Sequence, residues 1–213
     1  MTGGGQEAPR ATLIDEARRR REAALAGHRG DGAAARRFLV DSCPAVRATA
    51  LGALARTGRL TASDVVAALE DGDPTVRRRG CEVAVGVPDV DLVPLLGDDD
   101  ASVAEAAAWA LGERGPARAQ VVAALSATAT GHADPLCREA AVAALGAIGD
   151  QAGLPAILAA ATDKPAVRRR AVIALAPFEG PAVDAALQRA LSDRDWQVRQ
   201  AAEDLAADGD RAR

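Results

Sequence analysis

The 213-residue chain contains no tyrosine, two phenylalanines, two tryptophans and one methionine, so aromatic rings make up 2% of it although 49% is hydrophobic. A wide core filled by large rings is thereby excluded, and the apolar volume must come from small side chains brought close together. Lysine is nearly missing as well. Lys164 is the only one, and arginine carries the remaining positive charge. That bias is what a GC-rich bacterial genome produces, so arginine content alone is no argument for guanidinium chemistry. The three cysteines, Cys43, Cys81 and Cys137, are odd in number and lack a CxxC spacing, which argues against a disulfide framework or a zinc site. They read as reduced thiols, with Cys81 and Cys137 as small core groups. No apolar run approaches the ~20 residues that span a bilayer, and residues 1–10 hold no hydrophobic signal core. The expected location is the cytoplasm, with no membrane partner.

Patterns that carry chemistry are missing too. The chain has no GxGxxG, phosphate-binding loop, GxSxG or HExxH, and neither His28 nor His132 belongs to a His-Glu pair. The run Asp98, Asp99, Asp100 reads as a polar turn and helix cap. A non-enzymatic protein without cofactor, metal or catalytic residues is expected. Acidic residues exceed basic ones by 30 to 26, a net charge of −4, which argues against a nucleic-acid partner.

What is abundant is alanine, about a quarter of the chain, followed by leucine and valine. With Arg and Glu these are helix formers, so the expected class is all-α. A Pro-x-apolar-Arg signal recurs as Pro44-Ala-Val-Arg47, Pro74-Thr-Val-Arg77, Pro135-Leu-Cys-Arg138 and Pro165-Ala-Val-Arg168. Two degenerate copies, Ala101-Ser-Val-Ala104 and Trp196-Gln-Val-Arg199, complete six units. The steps between Arg-equivalent positions are 30, 27, 34, 30 and 31 residues. Asp73 and Asp134 stand where an N-cap belongs, Pro suits the first helical position, and Gly58, Gly115 and Gly149 suit helix ends. Counted from the Arg position, residues −1, +3, +4 and +7 form one apolar arc, as in Val46, Ala50, Leu51 and Leu54. Shorter apolar segments at 62–70, 90–96, 119–125, 154–161 and 182–191 lie between these helices, so each unit is a helix pair.

The pattern Asp-x-x-Pro-x-Val-Arg-x-x-Ala-x-x-Ala-Leu-Gly-x-x-Gly, at a period near 30, resembles the HEAT repeat in the short form also found in phycobilisome lyase subunits. The resemblance covers about 32–207. It implies a right-handed α-α solenoid of about six helix pairs, in one domain over 32–207. A disordered tail is expected over 1–10 and a C-terminal tail over 208–213. A capping helix and turn over 11–31 is expected to cover the open end with Leu13, Ile14 and Leu25, leaving 18–21 as a solvated face. The resemblance further implies that Arg47, Arg77, Arg138, Arg168 and Arg199 form a structural ladder with acidic turn residues, interrupted at Ala104.

Second helices line the concave surface in such solenoids. Position +5 points away from the apolar arc and holds Gly52, Glu82, Trp109, Ala143, Ile173 and Asp204. With the flanking rows, this makes Arg78, Arg79, Glu82, Glu105, Trp109, Glu113, Glu139, Arg169, Arg170 and Ile173 the candidate binding residues. Trp196 is expected to pack over a turn, which leaves Trp109 as the one large ring on an open surface. The expected function is a non-catalytic scaffold that holds a partner protein or peptide on the concave face. Two alternatives share the repeat: a DNA glycosylase of the HEAT-like alkylpurine type, which uses an Arg-lined surface, and a bilin lyase-like partner that handles a chromophore.

Overall fold

In the computed structural model, which describes residues 7–211 with side chains over 12–207, every regular element is helical and no strand occurs among the described residues. The chain divides into two compact units, Met1–Val90 and Asp91–Arg213. The first holds α1 (Glu7–His28), α2 (Gly32–Arg36), which continues into a 3-10 turn at Arg37–Val40, α3 (Pro44–Arg56), α4 (Ala62–Leu69) and α5 (Pro74–Val83). The second opens with a 3-10 turn at Val93–Gly97. It continues with α6 (Ala101–Glu113), α7 (Ala119–Gly131), α8 (Pro135–Ile148), α9 (Leu154–Ala160), α10 (Pro165–Ala174), α11 (Pro181–Leu191) and α12 (Trp196–Arg211). Within each unit the pairs follow one another in chain order, the arrangement of an α-α solenoid.

All six repeat signals begin a helix, and the local chemistry explains why. The carboxylates of Asp73, Asp100 and Asp134 accept from the N–H of Thr75, Ser102 and Leu136 at 2.8, 2.9 and 2.8 Å, satisfying donors that the first turn leaves free. Gly58, Gly115 and Gly149 follow the helices with φ of 65°, 75° and 68°, the left-handed region that a side chain opposes. The arc at −1, +3, +4 and +7 is buried in five of the six helices, as in Val103, Ala107, Ala108 and Leu111 of α6. In α12 the arc fails at +4 and +7, where Glu203 and Ala206 are exposed.

Small residues let the helices meet closely. A Cβ at Gly112 of α6 would stand 2.8 Å from the Ala144 Cα of α8, and one at Gly146 of α8 would stand 2.7 Å from the Ala174 Cα of α10. At such contacts a large ring has no room.

Several details depart from the sequence reading. Helix α1 begins at Glu7, inside the segment expected to be disordered, because Pro9 falls in the first turn, where its missing N–H is harmless; residues 1–6 lie outside the described residues. Helix α12 runs to Arg211, through the expected tail, since propagating an existing helix is easy; residues 212–213 lie outside the described residues. Leu13 and Ile14 do not cover the repeat end and are each 65% exposed. Instead Ala26 packs with Ala53 and Leu54, and Gly27 lies against Ala53, so the C-terminal end of α1 is what closes on α3 there. The expected helix at 90–96 is a single 3-10 turn between Pro88 and Gly97, although Val90, Leu92 and Leu96 are buried.

Candidate functional site

The turn between paired helices carries an arginine and an aspartate in a recurring geometry. The Arg47 guanidinium donates to both carboxylate oxygens of Asp71 at 2.8 and 2.7 Å and to the Asp41 carbonyl at 2.8 Å. Arg138 donates to Asp163 at 2.6 and 2.8 Å and to the His132 carbonyl at 2.8 Å. Arg168 holds Asp193 at 2.8 and 2.7 Å and the Asp163 carbonyl at 2.8 Å. Arg77 donates to the Asp71 carbonyl at 3.0 Å, and Arg199 donates to the carbonyls of Asp193 at 2.7 Å and Arg194 at 3.3 Å. Each arginine thus closes its own turn, and Arg47, Arg138 and Arg168 also reach the next turn's carboxylate by a bidentate fork. The hydrogen bonds from Arg47, Arg138 and Arg168 hold the Asp71, Asp163 and Asp193 carboxyls below the usual range, against the opposing effect of burial.

Sequence reasoning missed the first rung of this ladder and the histidine that matches its expected gap at Ala104. Arg19, within the run expected to be solvated, donates to Asp41 at 2.8 and 3.3 Å, so α1 supplies a first rung. Where Ala104 replaces the arginine, the turn that follows carries His132, whose Nδ1 accepts the Asp134 N–H at 3.1 Å. In the other turns an aspartate accepts that N–H, as Asp71 does from Asp73 at 2.9 Å. The rung is therefore missing on both sides, and no buried carboxylate is left without its cation. Both absences were legible as departures from the repeat.

The outward rows of the second helices hold the expected binding residues in separate places. In the first unit Glu82 forms ion pairs with Arg78 at 3.3 Å and Arg79 at 2.6 Å, so these three make a local cluster on α5. In the second unit Glu105, Trp109 and Glu113 of α6 face Leu136 and Glu139 of α8 across a groove of about 480 Å³, with Ala140, Ala143 and Ala147 also lining it. Trp109 is 46% exposed, and Arg170 donates to Glu139 at 3.3 Å. Arg169 and Ile173 lie apart from this group. They line a second groove of about 410 Å³ with Trp196 and Leu205. Trp196 does not pack over a turn: it is 64% exposed, more open than Trp109, because replacing Pro at the first helical position points its ring away from the repeat core.

This geometry is accompanied by a match to the family model of HEAT repeats over residues 90–176 and 122–206. The chain belongs to the HEAT-repeat family. Comparison with curated proteins gives no match. Among solved structures this HEAT-repeat chain is similar to an engineered protein at 19% identity, covering 81% of this chain and 94% of the other with a TM-score of 0.56. A second engineered protein is similar at 19% identity, covering 94% and 64% with a TM-score of 0.58. Human deoxyhypusine hydroxylase in complex with glycerol matches at 20% identity over 89% and 78%, with a TM-score of 0.47 that carries no argument. At these identities the likeness shows the fold alone. Among the described residues no group of three or more His, Cys, Asp or Glu could hold a metal ion, and no helix is long and apolar enough to cross a membrane.

Proposed function

We propose that this HEAT-repeat protein is a non-catalytic scaffold that holds a partner protein or peptide on its second-helix face, with the Trp109 groove as the main contact. The observation that carries the proposal is an exposed indole flanked one turn away on each side by Glu105 and Glu113. Neither carboxylate makes an ion pair among the described residues. A lysine or arginine of a partner can lay its aliphatic stem on the indole and place its charge between the carboxylates. Ile173 and Trp196, with Arg169 beside them, add a contact within the same unit. The three free thiols support a reducing compartment, consistent with a cytoplasmic protein. The repeat spacing supports the short form shared with phycobilisome lyase subunits.

Trp196→Phe leaves Trp109 as the only fluorescent indole. Titrating that variant with an Arg-rich peptide is expected to shift its emission, and Glu105→Gln with Glu113→Gln is expected to weaken binding about tenfold. Trp109→Ala is expected to change stability by less than about 1 kcal/mol, because a half-exposed ring loses little burial. Affinity purification with wild type and Trp109→Ala should then differ in the recovered partners. Identical recovery by both proteins removes the groove from the function.

A further inference from the structure

We propose that a separate groove within Met1–Val90 binds an extended acidic peptide, gripped through its carboxylates by Arg20 and Arg21 of α1, Arg56 of α3 and Arg79 of α5. The groove measures about 560 Å³, far more than one small anion fills, and no carboxylate lines it. Its basic lining is unusual in this chain. Arg18, Arg19, Arg36 and Arg47 all hold aspartates or glutamates. Arg20, Arg21 and Arg56 make no ion pair or side-chain hydrogen bond among the described residues, and Arg79 is held only by Glu82, at 2.6 Å. Three guanidinium groups thus face open space with their forks unused, and His28 adds a further donor at the rim.

The backbone positions them. Gly27 lacks the side chain that would meet Arg56, whose Nη1 lies 3.0 Å from where a Cβ would stand. Gly52 on the floor has nothing within 4 Å of its own Cβ position, which leaves a shallow track between α1 and α3. The occupant follows from what lines that track. It contains no Phe, Tyr or Trp ring on which successive bases could stack, and a chain of net charge −4 repels a long polyanion. A short peptide with carboxylates spaced along it needs neither. This inference stands independently of the Trp109 groove.

A fluorescein-labelled peptide of about 12 residues alternating Glu and Ala, followed by anisotropy at about 50 mM salt, tests it. Saturable binding is expected, weakened about tenfold by Arg56→Glu and by a similar factor by Arg21→Glu. Arg37→Glu makes the same charge change at an exposed site outside the groove and should keep wild-type affinity; so should Trp109→Ala. Arg56→Gln, with a thermal melt beside each titration, separates lost contact from lost fold. The proposal is overturned by absence of saturable binding, by equal weakening from Arg37→Glu, or by tighter binding of a single-stranded oligonucleotide of the same length through these arginines.

Discussion

Arg168 and Arg199 occupy the same position of successive repeats but differ in what they hold. Arg168 is 7% exposed and forks onto Asp193, whereas Arg199 reaches only turn carbonyls among the described residues. Removing Arg168 leaves a partly buried carboxylate without its cation, so Arg168→Ala is expected to cost about 3 kcal/mol in urea unfolding. Arg199→Ala strands no charge and should cost about 1 kcal/mol. The five ladder arginines were legible as a repeated letter. Their value was not, because it depends on whether a following turn supplies an aspartate at the right distance. The same dependence separates Arg19 from its neighbours in 18–21, since only the fold brings Asp41 to one of them.

At the scale of the helix, glycine reports how closely neighbours approach. Gly146→Ala would drive a Cβ into the Ala174 backbone of α10 at 2.7 Å, and the expected loss of about 2 kcal/mol outweighs the gain in helix propensity. Gly52→Ala, inside α3 with nothing in reach, should stabilise by about 0.5 to 1 kcal/mol. Thermal melts of the two variants should move in opposite directions. Helix starts were readable because an aspartate directly before Pro74, Ala101 or Pro135 acts as a cap within one turn. The first helix of each pair was less readable: 90–96 and 119–125 both looked like short apolar segments, yet the former holds a single turn, Val93–Gly97, and the latter opens a full helix, Ala119–Gly131. Pro88, Pro94 and Gly97 crowd the former, while the latter has room to propagate before Gly131.

At the scale of the molecule the ladder ties stability to pH. Asp71, Asp163 and Asp193 titrate below their ordinary value near 3.8 in the folded protein, chiefly through their arginine hydrogen bonds. Asp41 and Asp64 do so as well, with burial opposing and the bonds from Arg19 and Arg36 prevailing. Depressed carboxylates stabilise fully above the unfolded value and lose that contribution as pH falls through the folded one. The urea midpoint should therefore stay level from neutral pH down to about 4.5 and decline below about 4, with a shallower decline in Arg168→Ala. A midpoint that changes mainly near neutrality would contradict this assignment.

Scarcity of large rings, abundance of alanine and a signal returning about every 30 residues were enough to determine an all-helical array of pairs and its buried arc. These are local and periodic properties, set within a few turns of chain. Which charges remain free is different, because an arginine is satisfied or left open by residues roughly a repeat away. Tertiary structure alone decided that Arg170 turns to Glu139, that Arg20, Arg21 and Arg56 stay unpaired among the described residues, and that Trp196 stands open beside Ile173. The outward rows could be drawn on a helical wheel, but grooves form between helices, and their lining depends on how neighbouring backbones pack.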